Sequence, residues 1–257
     1  MNNVTLVRKE PSESLFREDG LRLDGRGLDE LRPIRMEVGV LNNADGSAYV
    51  EHGKNKIVAA VYGPRELHPK HLALPDKALV RCEYRMATFS VEERKSPAPG
   101  RREVELSKVI RESLEPAIFV YKYPRATIDV FVQILQADGG TRCASITAAA
   151  LALADAGVPM RDLVVGCAVG KIEGKVAVDL SDVEDKLGEG DIPMALMPTK
   201  KVITLLQSDG DFTPEEFKQA LEMGITACEK IYEMQRDILI ERYSKVREEV
   251  AEEQEEE

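Results

Sequence analysis

Tryptophan is absent from this chain of 257 residues, and only three histidines occur, at positions 52, 68 and 71. That is little for metal chemistry built on imidazole, and His68 and His71 form a lone HxxH pair beside Pro69 that reads as a surface loop. The four cysteines (Cys82, Cys143, Cys167, Cys228) lie far apart with no CxxC pair. This disfavours a zinc site or a disulfide framework and suits a reducing cytosol. No run of about 18 apolar residues exists, so no transmembrane helix is expected. The N-terminus, MNNVTLVRKEPSES, lacks an apolar core and reads as a polar arm over residues 1–19, not a secretion signal. A cytoplasmic protein without a membrane partner is expected.

Several motifs are missing as well. The segment Gly166–Ile172 is one residue short of a phosphate loop and ends on Ile172 where Ser or Thr is needed. The acidic stretch from Asp179 fails a calcium loop, because its sixth position is Glu184 and its twelfth Gly190. There is no GxSxG elbow.

Charge is present but unevenly spread. With 35 Lys+Arg against 46 Asp+Glu, the formal net charge is −11, which at face value argues against wrapping nucleic acid by bulk charge. Seven of the negatives are glutamates in the tail, residues 248–257, and without them the net is −11 + 7 = −4. Residues 53–111 carry thirteen Lys/Arg against seven Asp/Glu, a local +6. The Glu-rich tail has no core to join and is expected to fray or be disordered.

Periodicity predicts a mixed pattern. Strands are expected at 33–41, 47–52, 56–62 (stopping at Gly63-Pro64), 79–89 and 126–136. A polar loop at 92–101 leads into a helix whose buried stripe contains Val104, Leu106, Val109, Ile110, Leu114 and Ile118. Residues 143–156 are small and apolar nearly all round and predict a buried helix. Further strands are expected at 163–170, 175–180, 193–198 and 202–207. A long amphipathic helix starts at Thr213-Pro214, with Glu216 completing a capping box, and runs to about 247. The fold class is α+β, two βα halves sharing one sheet-and-helix core over residues 20–247.

Three clusters carry chemistry. Gly139-Gly140-Thr141-Arg142 lies between a strand and a helix, where glycines, free N–H groups and the helix dipole make an anion site. Arg142 could add bidentate bonds to phosphate, and Thr141 could cap the helix. Asp185 and Asp191, six residues apart around a glycine-containing turn, could converge on one divalent cation, or one could serve as general acid. Arg65, Arg94, Lys95, Arg101 and Arg102 could grip a phosphodiester backbone. Taken singly, each also reads as an ordinary turn, a solvated acidic loop or a solubilising loop. Together they match phosphoryl transfer on a polyanion, with no covalent nucleophile required.

Several ordered segments resemble the RNase PH family: Arg22-Leu-Asp24-Gly25-Arg26, Gly46-Ser47-Ala48 through Gly63-Pro64, and Phe89 to Arg94. So do Arg101-Arg102-Glu103 through Lys108, Gln136 to Arg142, and Glu184-Asp185 with Asp191-Ile192-Pro193. The similarity spans about residues 20–245 and is strongest to the catalytic subunits of the archaeal exosome. Many relatives carry Ala or Ser where this chain has Gly140-Thr141, a change that keeps the anion site.

The resemblance implies a 3′→5′ exoribonuclease in which inorganic phosphate, as co-substrate, attacks the 3′-terminal phosphodiester of single-stranded RNA and a nucleoside diphosphate leaves. Gly139, Gly140, Thr141 and Arg142 would bind phosphate. Asp185 would be the catalytic carboxylate, as proton donor or metal ligand, with Asp191 assisting through Mg²⁺ (or Mn²⁺). Arg101 and Arg102 would hold the RNA 3′ end, Arg94 would join them, and Arg65 would touch RNA at a channel constriction. It further implies a duplicated fold, a hexameric ring of three heterodimers with an inactive related subunit, and RNA-binding cap proteins. The competing readings are a non-catalytic RNA-binding ring subunit and a stand-alone enzyme that trims tRNA 3′ ends.

Overall fold

A computed structural model of the chain describes residues 14–256, leaving aside the side-chain surroundings of residues 245, 246 and 248–256. The arm expected over 1–19 falls mostly outside the described residues, as do the side chains of the acidic tail.

Alternation of apolar and polar residues builds the first sheet. β1 (Ile34–Val38) and β2 (Gly46–His52) form the expected hairpin, and β3 (Asn55–Glu66) returns after Gly53-Lys54. Ile57, Ala59 and Val61 of β3 are fully buried, one residue in two, as a strand with one packed face requires. β3 outruns its expected end and continues through Gly63-Pro64. A register shift against β5 (Ala126–Gln136) between Tyr62 and Arg65 accommodates Pro64, which has no N–H for the ladder. β4 (Leu79–Met86) lies parallel to β5 at the sheet edge, in the order β1-β2-β3-β5-β4. A parallel pair needs a crossover, and α1 (Arg101–Leu114) supplies it. Val104, expected in the buried stripe of α1, is 63% exposed. Glu103 is buried instead, because its carboxylate accepts the Gly100 N–H at 2.7 Å and the Met86 N–H at 3.0 Å.

α2 (Thr141–Asp155) is buried along almost its whole length and packs on both sheets. Two glycines permit this closeness: a Cβ at Gly46 would lie 2.1 Å from Ala156 N, and one at Gly166 would lie 2.6 Å from Cys143 O. With α2 enclosed on all sides, truncating the fully buried Leu151 would open a cavity and cost about 2–5 kcal/mol.

The second sheet is antiparallel. It contains β6 (Val165–Ile172), β7 (Lys175–Val178), β8 (Gly190–Met197), β9 (Val202–Leu206) and β10 (Asp209–Gly210), ordered β10-β8-β6-β7 with β9 also on β8. The short phosphate-loop look-alike is simply β6. Between β7 and β8 the chain forms α3 (Asp182–Leu187), a helix where the sequence suggested an acidic loop. α4 (Pro214–Glu256) carries the expected capping box, with Thr213 N donating to Glu216 Oε2 and Glu216 N donating to Thr213 Oγ1. It runs past the end expected near 247. One hydrophobic cluster joins both sheets with α1, α2 and α4, so the two halves share a core as the α+β reading requires.

Candidate active site

The glycine turn at the end of β5 is held from beneath. Gly139 and Gly140 have φ of +69° and +68°, the left-handed region that disfavours side chains. A Cβ at Gly139 would also lie 2.7 Å from Asp182 N, so the turn rests directly on the start of α3. Gly140 occupies the N-cap position. Thr141 is therefore the first helical residue and does not cap; its buried hydroxyl accepts from the Tyr84 hydroxyl at 3.1 Å. The first N–H groups of α2 have no intrahelical acceptor and carry the positive end of its dipole. Arg142 is half-buried and donates from Nη1 to Gln207 Oε1, while its Nε is buried without a partner.

Three arginines gather the segment from Val178 to Glu184, and one of them, Arg32, ties it to this turn. Arg22, fully buried, donates from Nε and Nη2 to Glu184, and to the carbonyls of Val178 and Asp179. Arg26 reaches Asp179 O. Arg32 bonds Asp179 through its backbone N, Nε and Nη2 (2.7, 3.1 and 2.7 Å) and also donates to the carbonyl of Asp138. His52 Nε2 lies 2.9 Å from Asp179 Oδ2. Burial alone would raise the pKa of Asp179, but His52 and Arg32 hold it far below the usual carboxylate range. For Glu184 burial is likewise outweighed, by Arg22 and Ser181, and its pKa is lowered. Glu184 is thus committed to the fold.

The next acid behaves oppositely. Asp185 rides on α3, and its carboxylate has no ion pair or hydrogen bond among the described residues. Burial raises its pKa, with Asp182 adding and Arg102 and Arg142 offsetting. Asp191, half-buried near the start of β8, is raised by burial first and then by the charges of Asp185 and Asp209. Arg142 and Arg102 act against this shift as well. Five charged side chains from α1, α2, α3, β8 and β10 therefore share one electrostatic neighbourhood. Among the described residues no group of three or more His, Cys, Asp or Glu is arranged to hold a metal ion. Asp185 and Asp191 make a two-carboxylate set, suited to a cation that completes its shell with water and substrate oxygens.

The expected basic grip divides. Arg102, at the start of α1, belongs to this neighbourhood. Arg101 beside it and Arg94 on the preceding loop are exposed and without ion pairs among the described residues. Arg65 is not in the cluster. It sits ten residues along β3 from Asn55, roughly 30 Å at about 3.3 Å per residue. There it pairs with Asp45 at 2.8 Å and lies 4.8 Å from the Tyr62 ring centroid. Much of the local +6 is neutralised by acids outside residues 53–111: Lys56, Arg65, Lys77, Arg81 and Arg111 pair with Glu51, Asp45, Glu115, Asp129 and Glu112.

Five contributors escaped the sequence reading. Asp209 faces Asp191 across the β8–β10 ladder, but a two-residue strand leaves no periodic signal. Gln207 and Tyr84 carry no motif and matter only through their contacts with Arg142 and Thr141. Arg22 and Arg26 lay in a quoted segment without a role, because the acceptors that tie them to the second half, Glu184 and the Asp179 carbonyl, are more than 150 residues away.

Comparison with known proteins identifies the family. Residues 30–159 match the family model described as the 3′ exoribonuclease family, domain 1, and residues 162–227 match its domain 2, dividing the chain between α2 and β6. The exosome complex component Rrp41 of Thermococcus onnurineus is 60% identical over 245 residues, covering 95% of this chain and 98% of the relative. The protein of that name from Methanopyrus kandleri is 60% identical over 235 residues, covering 91% and 98%. Among solved structures, rice (Oryza sativa) Rrp46 superposes with a TM-score of 0.75 at 25% identity, covering 84% of this chain and 98% of that one. The Archaeoglobus fulgidus exosome with RNA bound to the active site gives a TM-score of 0.73 at 24% identity, covering 84% and 93%, and speaks to the fold alone. From both family models and these relatives, the chain belongs to the 3′ exoribonuclease family, with its two RNase PH domains in order.

Proposed function

We propose that this chain is the catalytic subunit of an exosome and shortens RNA from its 3′ end by phosphorolysis. The reading is carried by one observation: Asp185 and Asp191, unpaired and raised in pKa, share a neighbourhood with Arg102 and with Arg142 at the open start of α2. Inorganic phosphate binds the N–H groups of the Gly139–Arg142 turn with Arg142, and Arg101, Arg102 and Arg94 hold the RNA end. A phosphate oxygen attacks the terminal phosphorus, the bond from phosphorus to the neighbouring 3′ oxygen breaks, and a nucleoside 5′-diphosphate leaves. The departing 3′ oxygen needs a proton, and a carboxyl whose pKa burial raises is better suited to give it than an ordinary one; Asp185 takes this part. Where Mg²⁺ or Mn²⁺ binds, Asp185 and Asp191 would hold it, and it would supply the same charge relief at the leaving oxygen. Acceptance by phosphate instead of water makes this a nucleotidyl transfer, not a hydrolysis.

Relatives at about 60% identity bear the name exosome complex component, which supports assembly with other chains. We assign the partners as an inactive related subunit, in a hexameric ring of three heterodimers, and RNA-binding cap proteins. Arg65 contacts RNA away from the chemistry, at a constriction. Among the described residues no helix is long and apolar enough to cross a membrane, and we place the protein in the cytoplasm. The test uses RNA labelled at its 3′ end and the assembled complex, with and without phosphate. Nucleoside diphosphates released only with phosphate are expected; nucleoside monophosphates released without it overturn the proposal.

A further inference from the structure

One side-chain amide binds two backbone groups of the glycine turn. Asn55 is the first residue of β3 and is fully buried. Its Oδ1 accepts the Asp138 N–H at 2.6 Å, and its Nδ2 donates to the Gly139 carbonyl at 2.6 Å. The orientation of the amide follows from its partners, since a backbone N–H only donates and a carbonyl only accepts.

This contact sits where the sheet stops. The ladder between β3 and β5 ends at Lys56 opposite Gln136, after a register shift. Beyond Gln136 the Ala137 N–H goes to the Ser90 carbonyl, and the Asn55 amide takes the place of a peptide unit for Asp138 and Gly139. A buried backbone group left unpaired is costly, and a residue bearing one donor and one acceptor on a short stem meets both needs at once. Arg32 reinforces the same face through the Asp138 carbonyl. With these groups tied, the left-handed conformations of Gly139 and Gly140 are set.

We propose that Asn55 is a positioning residue for phosphate: it orders the 138–140 turn before the anion arrives. The idea rests on the reading of residues 139–142 as the phosphate site. Preorganisation of this kind lowers the entropy lost on binding, so its removal weakens the anion selectively.

The full chain in its assembled complex is assayed for nucleoside diphosphate release at varied phosphate and, separately, varied RNA. Asn55→Ala is expected to raise the KM for phosphate about tenfold, the equivalent of one lost net hydrogen bond or slightly more. RNA binding measured without phosphate stays within about twofold. Asn55→Asp keeps the acceptor for Asp138 N but sets a carboxylate against the Gly139 carbonyl, and raises the phosphate KM at least as much. A purely structural role would instead lower RNA binding and turnover together, and that result overturns the proposal. So does an unchanged phosphate KM.

Should both variants fail to fold, amide exchange of the unaltered complex decides. Protection of the Asp138 N–H before phosphate is added supports the proposal; protection that develops only with phosphate overturns it. Arg142→Gln separates the two levels. If it loses phosphate dependence while Asn55→Ala keeps it, only the role of Asn55 fails. If neither variant alters phosphate dependence, the phosphate site itself lies elsewhere.

Discussion

Two pairs of acids lie within thirteen residues of one another and do opposite work. Asp179 and Glu184 are buried, gripped by Arg22, Arg26 and Arg32, and held below the ordinary carboxylate pKa. Asp185 and Asp191 have no cationic partner within bonding distance among the described residues and are raised. All four are simple carboxylates, and two of them are neighbours in sequence. The difference is whether an arginine from the N-terminal segment lands on the group. Where it does, the acid fixes the loop; where it does not, the acid stays available for a proton, a cation or a phosphoryl oxygen.

The contrast can be broken most severely at Arg22. Arg22→Ala leaves Glu184 buried without its partner and should cost about 3–5 kcal/mol, read from the denaturant midpoint at constant m-value. A loss under about 1 kcal/mol would mean that Glu184 finds another partner or stays protonated at little cost.

Next comes Asp185→Ala. Losing a general acid lowers phosphorolysis by about 10²–10⁴-fold, with RNA binding nearly intact and the thermal midpoint unchanged or higher. Full retained activity would remove Asp185 from the chemistry.

The third prediction concerns pH. Asp179 and Glu184 have depressed pKa values, so their stabilisation is complete above the unfolded carboxylate pKa, about 4, and disappears as pH falls through the folded values. Asp185 and Asp191 are raised, so their ionisation opposes folding at neutral pH, and that penalty lifts as pH falls through their raised range. Asp185→Asn with Asp191→Asn should therefore raise the denaturation midpoint at pH 7 and leave it nearly unchanged at pH 3, where the native acids are already protonated. A variant less stable at pH 7 would contradict the raised values.

The smallest effect sharpens the comparison from the basic side. Arg102→Ala removes a charge that favours the ionised form of both aspartates, so the alkaline limb of the rate profile, where the proton donor Asp185 ionises, should move to higher pH. Arg65→Ala, at the opposite end of β3 from Asn55 and the glycine turn, should weaken RNA binding and its salt dependence modestly and leave that limb in place. Equal shifts in the two variants would refute the separation.

Much of this was legible beforehand, element by element. The β-branched run of β5, the alanine-rich α2 and the Thr213–Glu216 capping box are local signals, and the structure has them where the pattern put them. α3 was not legible. Its six residues have no apolar stripe, and what holds it is the Ser181 N–H and hydroxyl on Glu184, itself gripped by Arg22. Thr141 looked like a cap because Ser and Thr commonly are, but the left-handed Gly140 takes that position and Tyr84 claims the hydroxyl. The basic stretch was misleading as a sum, since most of its charges meet acids across strands or along helices.

By itself, then, the sequence determined all the elements but the short α3 and β10, the shared α+β core and the residue types of the site, because periodicity, turns and caps act over a few residues. Only the tertiary structure decided which carboxylates are structural and which are free for chemistry. It also decided that Asp209 joins the site and that Arg65 stands apart. Those outcomes depend on which charge comes within a few ångströms of which, and Coulomb attraction and desolvation are set by distance in space, not by position along the chain.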